Sequence, residues 1–301
     1  MKKVILTVAL ALGLGLSASA QLLNVGSIDK INLPDGVKAD HAYLSPTGDY
    51  LVFSEIGHAG LKSLDLNSGT VTVVSPAASG MDVKFTADGN QVVFRENSFN
   101  NHRRFTSVKA FDKTNAKTVT LVKPTRELQG VAVEGNTAVT VAAGRSGARA
   151  LDGGKMAVSR PVFSIDRGMM YKTVNGKTTA FSPLGEGSFS YLWPSLSPDG
   201  LKVVFYAAGY GTYTCDLDGA NLTPVGRFIA PVWYNNDVLV AMVDENDGVT
   251  TTKSTIMAVS ADGSETQALT DDSLVAMLPA VAGNTIVFTT VDGGLYSITL
   301  K

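Results

Sequence analysis

The chain has 301 residues, with 25 Lys and Arg against 27 Asp and Glu and a formal net charge of −2. Such a balance gives no footing for nucleic acid, whose binding rests on neutralising phosphates, or for broad attraction to anionic membranes. A single cysteine, Cys215, excludes an internal disulfide, and a lone cysteine of this kind is expected to be buried and inert.

The first element is a leader. Lys2 and Lys3 precede the apolar run "VILTVALALGLGL", and "SASA" ends in the small residues Ala18, Ser19 and Ala20. This order of charge, apolar run and small residues is that of a secretory signal peptide. We expect residues 1–20 to be removed before Gln21, leaving 21–301 as a single periplasmic or secreted domain. The apolar run falls short of the roughly 20 residues of a membrane span. No later run reaches that length, so no transmembrane segment is expected after cleavage.

A strand-like stretch follows, "VGSIDKINLP" at 25–34, and after it a hairpin that returns along the chain. Its six versions are "TGDYLVFSE" from Thr47, "DGNQVVFRE" from Asp88, "EGNTAVTVA" from Glu134, "DGLKVVFYA" from Asp199, "NNDVLVAMV" from Asn235 and "AGNTIVFTT" from Ala282. The second turn residue is Gly48, Gly89, Gly135, Gly200, Asn236 and Gly283 in turn. Gly and Asn tolerate the positive φ of tight hairpins. The repeat recurs about every 47 residues, in the range of propeller blades.

Each turn leads into an apolar, β-branched run suited to a strand buried on both faces. A third strand follows, as in "LKSLDLNSG", "FTSVKAFDK", "GMMYKTVNGK", "TYTCDLDGA", "STIMAVSADG" and "GLYSITL", and several of these turn into a fourth. The pattern predicts an all-β, six-bladed β-propeller with four-stranded blades. The sixth repeat stops at Lys301 after its third strand, so 25–34 is expected to supply the missing outer strand and close the ring. Val25, Ile28, Ile31 and Leu33 are its apolar candidates. Closure protects edges that otherwise recruit other chains.

The fourth repeat, "WPSLSPDGLKVVFYAAGYGTYTCDLDGANLTPVG", resembles the WD-like repeats of the TolB-type six-bladed propellers, in which P-x-x-SPDG opens a blade. Pro194, Ser197, Pro198, Asp199, Gly200, Asp216, Asp218 and Gly219 fit that pattern, and "SADGSETQALTD", "LSPTGDYLVF" and "FTADGNQVVF" fit parts of it elsewhere. The third and sixth repeats diverge. The resemblance implies a propeller and points to a binding scaffold, because the periplasmic TolB protein works by protein–protein contact. Related propellers in serine peptidases and a pectin-fragment lyase show that the fold alone names no reaction.

Candidate chemistry is sparse. No G-x-S-x-G elbow occurs, Asp and Gly of the SPDG turns are explained by turn geometry, and "DENDG" at 244–248 reads as a solvated acidic loop. No catalytic residue and no cofactor are expected. The loops between second and third strands should open on one face, and three are long: "ENSFNNHRRF", the stretch from Gly144 to about Pro161, and "DENDGVTTTK". Arg103, Arg104, Arg145, Arg149 and Lys155 are expected to form a basic patch there for an anionic ligand or acidic partner.

Trp193 and Trp233 fall in first strands near the channel mouth, where core packing competes with a binding role. Tyr210, between two glycines, could stack on a sugar or peptide. His41, His58 and His102 fall on the same face, where carboxylates such as Asp82 or Glu96 would complete a metal site. The leading expectation is an envelope scaffold that binds a protein or an anionic or saccharide ligand. The alternative is a metal-assisted lyase or hydrolase acting on anionic saccharides at the mouth.

Overall fold

The computed structural model describes residues 21–301 apart from 154, 155, 157, 186 and 188. The leader and Lys155 therefore lie outside the described residues. Among the described residues, twenty-six strands form six antiparallel sheets in a ring, a six-bladed β-propeller. The second strand of each repeat carries a run of buried residues, and the pleat explains why. Alternate residues face opposite neighbours. In Tyr50–Glu55, Leu51 and Phe53 pack against Val287 and Leu295 of the last sheet, while Tyr50 and Val52 pack against Val92 and Phe94 of the second. Val203 and Phe205 likewise face Met170 and Tyr191, and Val204 faces Leu239 and Trp233. Ile286 and Phe288 pack on Val240 and Ile256 of the preceding sheet. A strand caught between two sheets must be apolar throughout, and each large side chain so buried is worth about 1.5–3 kcal/mol. Cys215 sits in one of these layers, and burial pushes its thiol up to about 12.

The ring closes as the sequence predicts. Val25–Lys30 pairs antiparallel with Leu295–Leu300, with Ile28 opposite Ile298 and Lys30 opposite Tyr296. Ile28 itself is exposed. The buried contacts come instead from Leu23, in the core beside Val238 and Ile298, and from Val25, Ile31 and Leu33.

Five sheets have four strands; the third has six. It joins two three-stranded meanders, Leu128–Glu134, Thr137–Ala142, Arg145–Ala150 and then Val162–Asp166, Met169–Val174, Lys177–Ala180. Their outer strands meet edge to edge through one pair, Arg145 opposite Lys177. Leu128–Glu134 and Val162–Asp166 lie side by side, so the six sheets set seven strands around the axis.

Two expectations change here. The stretch from Gly144 is not one long loop, because Arg145–Ala150 continues the ladder. "GMMYKTVNGK" is the middle strand of the second meander rather than the third strand of the first. The other two long loops are also mostly ladder. Gln91–Asn100 and Arg103–Asp112 pair along their full length around a two-residue turn at Asn101 and His102, both at positive φ (46° and 60°). Val238–Asn246 pairs with Thr251–Ser260. Backbone hydrogen bonding carries these polar stretches outward as hairpins, because an extended chain with a positive-φ turn satisfies its own ladder.

Candidate functional site

The face on which second strands turn into third strands is also where the chain enters each innermost strand, and it is called the mouth face below. Just inside it, five innermost strands slip register. The slips fall between Ala39 and Ala42, Leu128 and Gly130, Leu192 and Ser195, Ile229 and Val232, and Met277 and Ala280. In four of them two residues oppose one: Asp40–His41, Trp193–Pro194, Ala230–Pro231 and Leu278–Pro279. Such bulges leave one residue unpaired and re-aim side chains. An unpaired position suits proline, which has no N–H to lose. Trp193, Ala230 and Leu278 take positive φ, 50°, 50° and 54°, and Asp82 does so at 57° in the corresponding place of the second sheet. Non-glycine residues held in that region cost on the order of 1–3 kcal/mol each. In the first sheet His41 stands where three others carry proline.

The first bulge gathers a polar cluster. Asp40 Oδ1 lies 3.5 Å from His41 Nδ1, and Asp40 Oδ2 lies 3.6 Å from His58 Nδ1. The two imidazole centroids are 5.0 Å apart. His58 comes from the short 3-10 turn Ile56–His58 that caps the second strand. Ser54 binds the group together: its Oγ accepts the His41 backbone N–H at 3.3 Å and sits 3.5 Å from His58 Nδ1. The Asp40 carbonyl accepts the Thr289 hydroxyl at 2.7 Å, which pins the bulge to the last sheet. Burial lowers the pKa of His41 below its ordinary value, outweighing the carboxylate of Asp40 beside it. His41 is thus held neutral, and its Nδ1 is buried without a hydrogen-bond partner.

The cluster differs from the expected one. His102 sits at the tip of the second sheet's hairpin and is not part of it. Neither Asp82 nor Glu96 serves the imidazoles. Asp82 is held by Lys84 at 2.8 Å and Arg95 at 3.1 Å, and Glu96 by Lys109 at 2.5 Å and the Ser75 hydroxyl at 2.6 Å. The carboxylate that the imidazoles meet is Asp40, adjacent to His41 in sequence.

A second group occupies the fourth repeat. Trp193, 40% exposed, lies against Tyr206 with centroids 5.5 Å apart, and Tyr210, 59% exposed, meets Phe189 edge-on at 5.1 Å. Trp233 drops out of the surface candidates. It is 8% exposed and packs among Val204, Leu239 and Val259, and its indole N–H donates to the Ser195 carbonyl at 3.0 Å. Core packing wins there because the Trp233 ring fills the seam between two sheets.

The basic patch divides. Arg103 and Arg104 stand beside the hairpin tip, opposite Asn100 and Phe99. Arg145 lies at the mouth end of its strand, opposite Ala142, but Arg149 is opposite Ala138, near the other face. Four residues of extended chain separate the two by about 13 Å. Because Arg145–Ala150 is a strand rather than a loop, its two arginines cannot converge.

On the opposite face the turn aspartates are structural. Asp199 accepts Ser197 Oγ at 2.5 Å and the Leu201 N–H at 3.0 Å, and Asp262 accepts Ser260, Ser264 and the Ser264 N–H in the same way. Their lone pairs are used inside the turn.

No model of a known protein family matches the sequence, and no curated protein is a recognisable relative. Solved structures do match in three dimensions. The selenomethionine form of virginiamycin B lyase from Staphylococcus aureus shares 16% identity over 91% of this chain and 99% of that one, with a TM-score of 0.64. A catalytically inactive variant of that lyase with quinupristin gives 14% over 91% and 99%, and 0.61. The WD40 repeats of RRP9 give 10% over 93% and 99%, and 0.63. At such identities the likeness shows the fold alone: the chain is a β-propeller with WD40 and lyase-like structural neighbours.

Proposed function

We propose that this chain is an exported, TolB-like binding propeller that docks an envelope partner on its mouth face. Trp193, Tyr206, Phe189 and Tyr210 form the apolar anchor, and Arg103 and Arg104 supply charge at the rim. Export is supported by the charge, apolar and small-residue order of 1–20. The TolB-like reading is supported by the P-x-x-SPDG motif at Pro194–Gly200.

Trp193 carries the binding reading. The same bulge is built with Ala230 and Leu278, so the backbone does not require an indole there. A large aromatic side chain placed on a strained turn and left in water is offered to something else. Exposed aromatic faces with a polar edge suit peptide surfaces and sugars. Charge-depleted aromatic centres with Arg nearby are the usual composition of binding hot spots.

A photo-crosslinking residue at Tyr210 in living cells, compared with one at Leu201 on the opposite face, tests this. The reading expects discrete adducts from Tyr210, lost when Trp193→Ala is added, and none from Leu201. Equal labelling at both positions, or none at Tyr210, overturns it.

A second reading, a lyase or hydrolase acting on anionic saccharides at the mouth, is favoured by one observation. A half-buried imidazole, His41, stands beside a carboxylate where a base or a metal ligand belongs. Release of unsaturated or reducing ends from polyuronate oligosaccharides separates the two readings.

A further inference from the structure

We infer that Asp40, His41 and His58 form a binding site for one divalent transition-metal ion of the Zn2+ type. The inference does not depend on which reading of function holds.

Three side chains offer one ligand atom each, all within 4.8 Å of one another. The distances inside the cluster suit a shared ion better than they suit hydrogen bonds. A good N–H···O bond spans about 2.7–3.2 Å. Two ligands at about 2.1 Å from a tetrahedral ion stand roughly 3.4 Å apart. The two imidazole–carboxylate separations are 3.5 Å from His41 Nδ1 to Oδ1 and 3.6 Å from His58 Nδ1 to Oδ2, so the carboxylate lies between the two rings with one oxygen toward each. The groups converge and yet do not satisfy one another.

The His41 Nδ1 makes the point sharply. It is buried, it lacks a hydrogen-bond partner, and it faces the carboxylate of Asp40. A buried polar atom left in that state is costly, and an ion would satisfy it.

The scaffold is rigid on one side and adaptable on the other. Asp40 and His41 are fixed by the bulge and by Thr289, whereas His58 rides on an exposed three-residue turn that can close the remaining gap. Ser54 ties the two segments together: its Oγ accepts the His41 backbone N–H at 3.3 Å and lies 3.5 Å from His58 Nδ1. Two of the chain's three histidines meet here, although they lie in different elements.

Two imidazoles and one carboxylate select borderline ions such as Zn2+, Co2+ and Ni2+ over Ca2+ or Mg2+, which prefer all-oxygen sets. Three protein ligands leave a position open toward the mouth, for water or for an oxygen of a bound partner.

The test uses tag-free mature chain, stripped with chelator and titrated with Zn2+ alone by calorimetry. Co2+ serves as a spectroscopic probe. One equivalent should bind, and Co2+ should give visible bands of a four- or five-coordinate site. His58→Ala and Asp40→Asn should each weaken binding by at least about tenfold, whereas His102→Ala should leave it unchanged. His58 lies on an exposed turn, so His58→Ala should melt normally without metal and still report on the site if Asp40→Asn fails to fold. Absence of stoichiometric binding, or binding of unchanged strength in His58→Ala, overturns the inference.

Discussion

Gln267 grips Leu23 by both of its backbone polar groups: the Leu23 N–H donates to Oε1 at 2.8 Å, and Nε2 donates to the Leu23 carbonyl at 2.9 Å. The side-chain amide thus does for one residue what a strand does for many, and it fastens the start of the domain to the sheet preceding the last. Leu23 then reaches the core beside Val238. The closing strand is therefore held by three means: its ladder to Leu295–Leu300, this clamp, and the apolar residues on either side of it.

Truncation and clamp removal should separate these contributions. A chain beginning at Gly36 loses Leu23, Val25, Ile31 and Leu33 and exposes the edge of Leu295–Leu300, so it should aggregate or melt far below the mature chain. Gln267→Ala removes two hydrogen bonds worth about 0.5–1.5 kcal/mol each and should lower the melting temperature by a few degrees. Calorimetry of both variants checks the ordering. A truncated chain that melts like the mature one contradicts closure.

The two tryptophans should behave oppositely. Trp233→Ala opens a cavity between sheets and strands the Ser195 carbonyl, so about 3–5 kcal/mol should be lost. Trp193→Ala should leave the stability within about 1 kcal/mol, because the ring is exposed and its bulge is built elsewhere with Ala230. Because only two tryptophans are present, Trp193→Phe should leave a blue-shifted emission that iodide quenches poorly. Trp233→Phe should leave a red-shifted, quenchable one.

Much of this was legible from turn chemistry. Positive φ at Gly48, Gly89, Gly135, Gly200 and Gly283 is what forces glycine there, so those residues mark the hairpins in the bare sequence. Asn236 marks one by another route, since the neighbouring Asn235 side chain accepts the Asp237 and Val238 N–H groups. The interval from Gly135 to Gly200 is about 65 residues and conceals a further hairpin at Arg167 and Gly168, both at positive φ. Arg at the first turn position disguised it, and the third sheet gained its second meander unseen. The cluster of Asp40, His41 and His58 was half legible. Periodicity put both histidines on one face, but the bulge that turns Asp40 toward them shows in sequence only as Pro194, Pro231 and Pro279 at equivalent places. Trp233 was ambiguous because a first-strand aromatic reads alike whether it faces a seam or the mouth.

Acid should destabilise the opposite face first. Hydrogen bonds from Lys113, Thr47 and Ser45 bring the Asp49 carboxyl down to about 2, and hydroxyls and the N–H from Ser260 and Ser264 bring Asp262 to about 2. Both folded values lie below the roughly 3.9 of an unfolded chain. Their stabilisation is complete above that value and is lost as pH falls through it toward 2. Urea midpoints should therefore hold steady from pH 7 to about 5 and drop steeply below 4. Lys113→Met should raise the Asp49 pKa, read from its carboxyl carbon shift, and flatten the drop.

The double sheet rests on one close approach that a paired substitution can probe. Gly130 lies flat against Ser164 of the neighbouring innermost strand, and a Cβ there would meet the Ser164 Cβ at 2.5 Å. The Gly130 backbone has ordinary φ, so the need for glycine is steric and not conformational. Gly130→Ala should force the strands Leu128–Glu134 and Val162–Asp166 apart and cost about 1–3 kcal/mol, as overpacking does. Ser164→Gly makes room at the same spot and also removes a buried hydroxyl that has no hydrogen-bond partner. In the double variant the two changes should compensate, with a coupling of more than about 1 kcal/mol in a double-mutant cycle measured by urea unfolding. Additive losses would mean that the two meanders do not pack against each other at the axis.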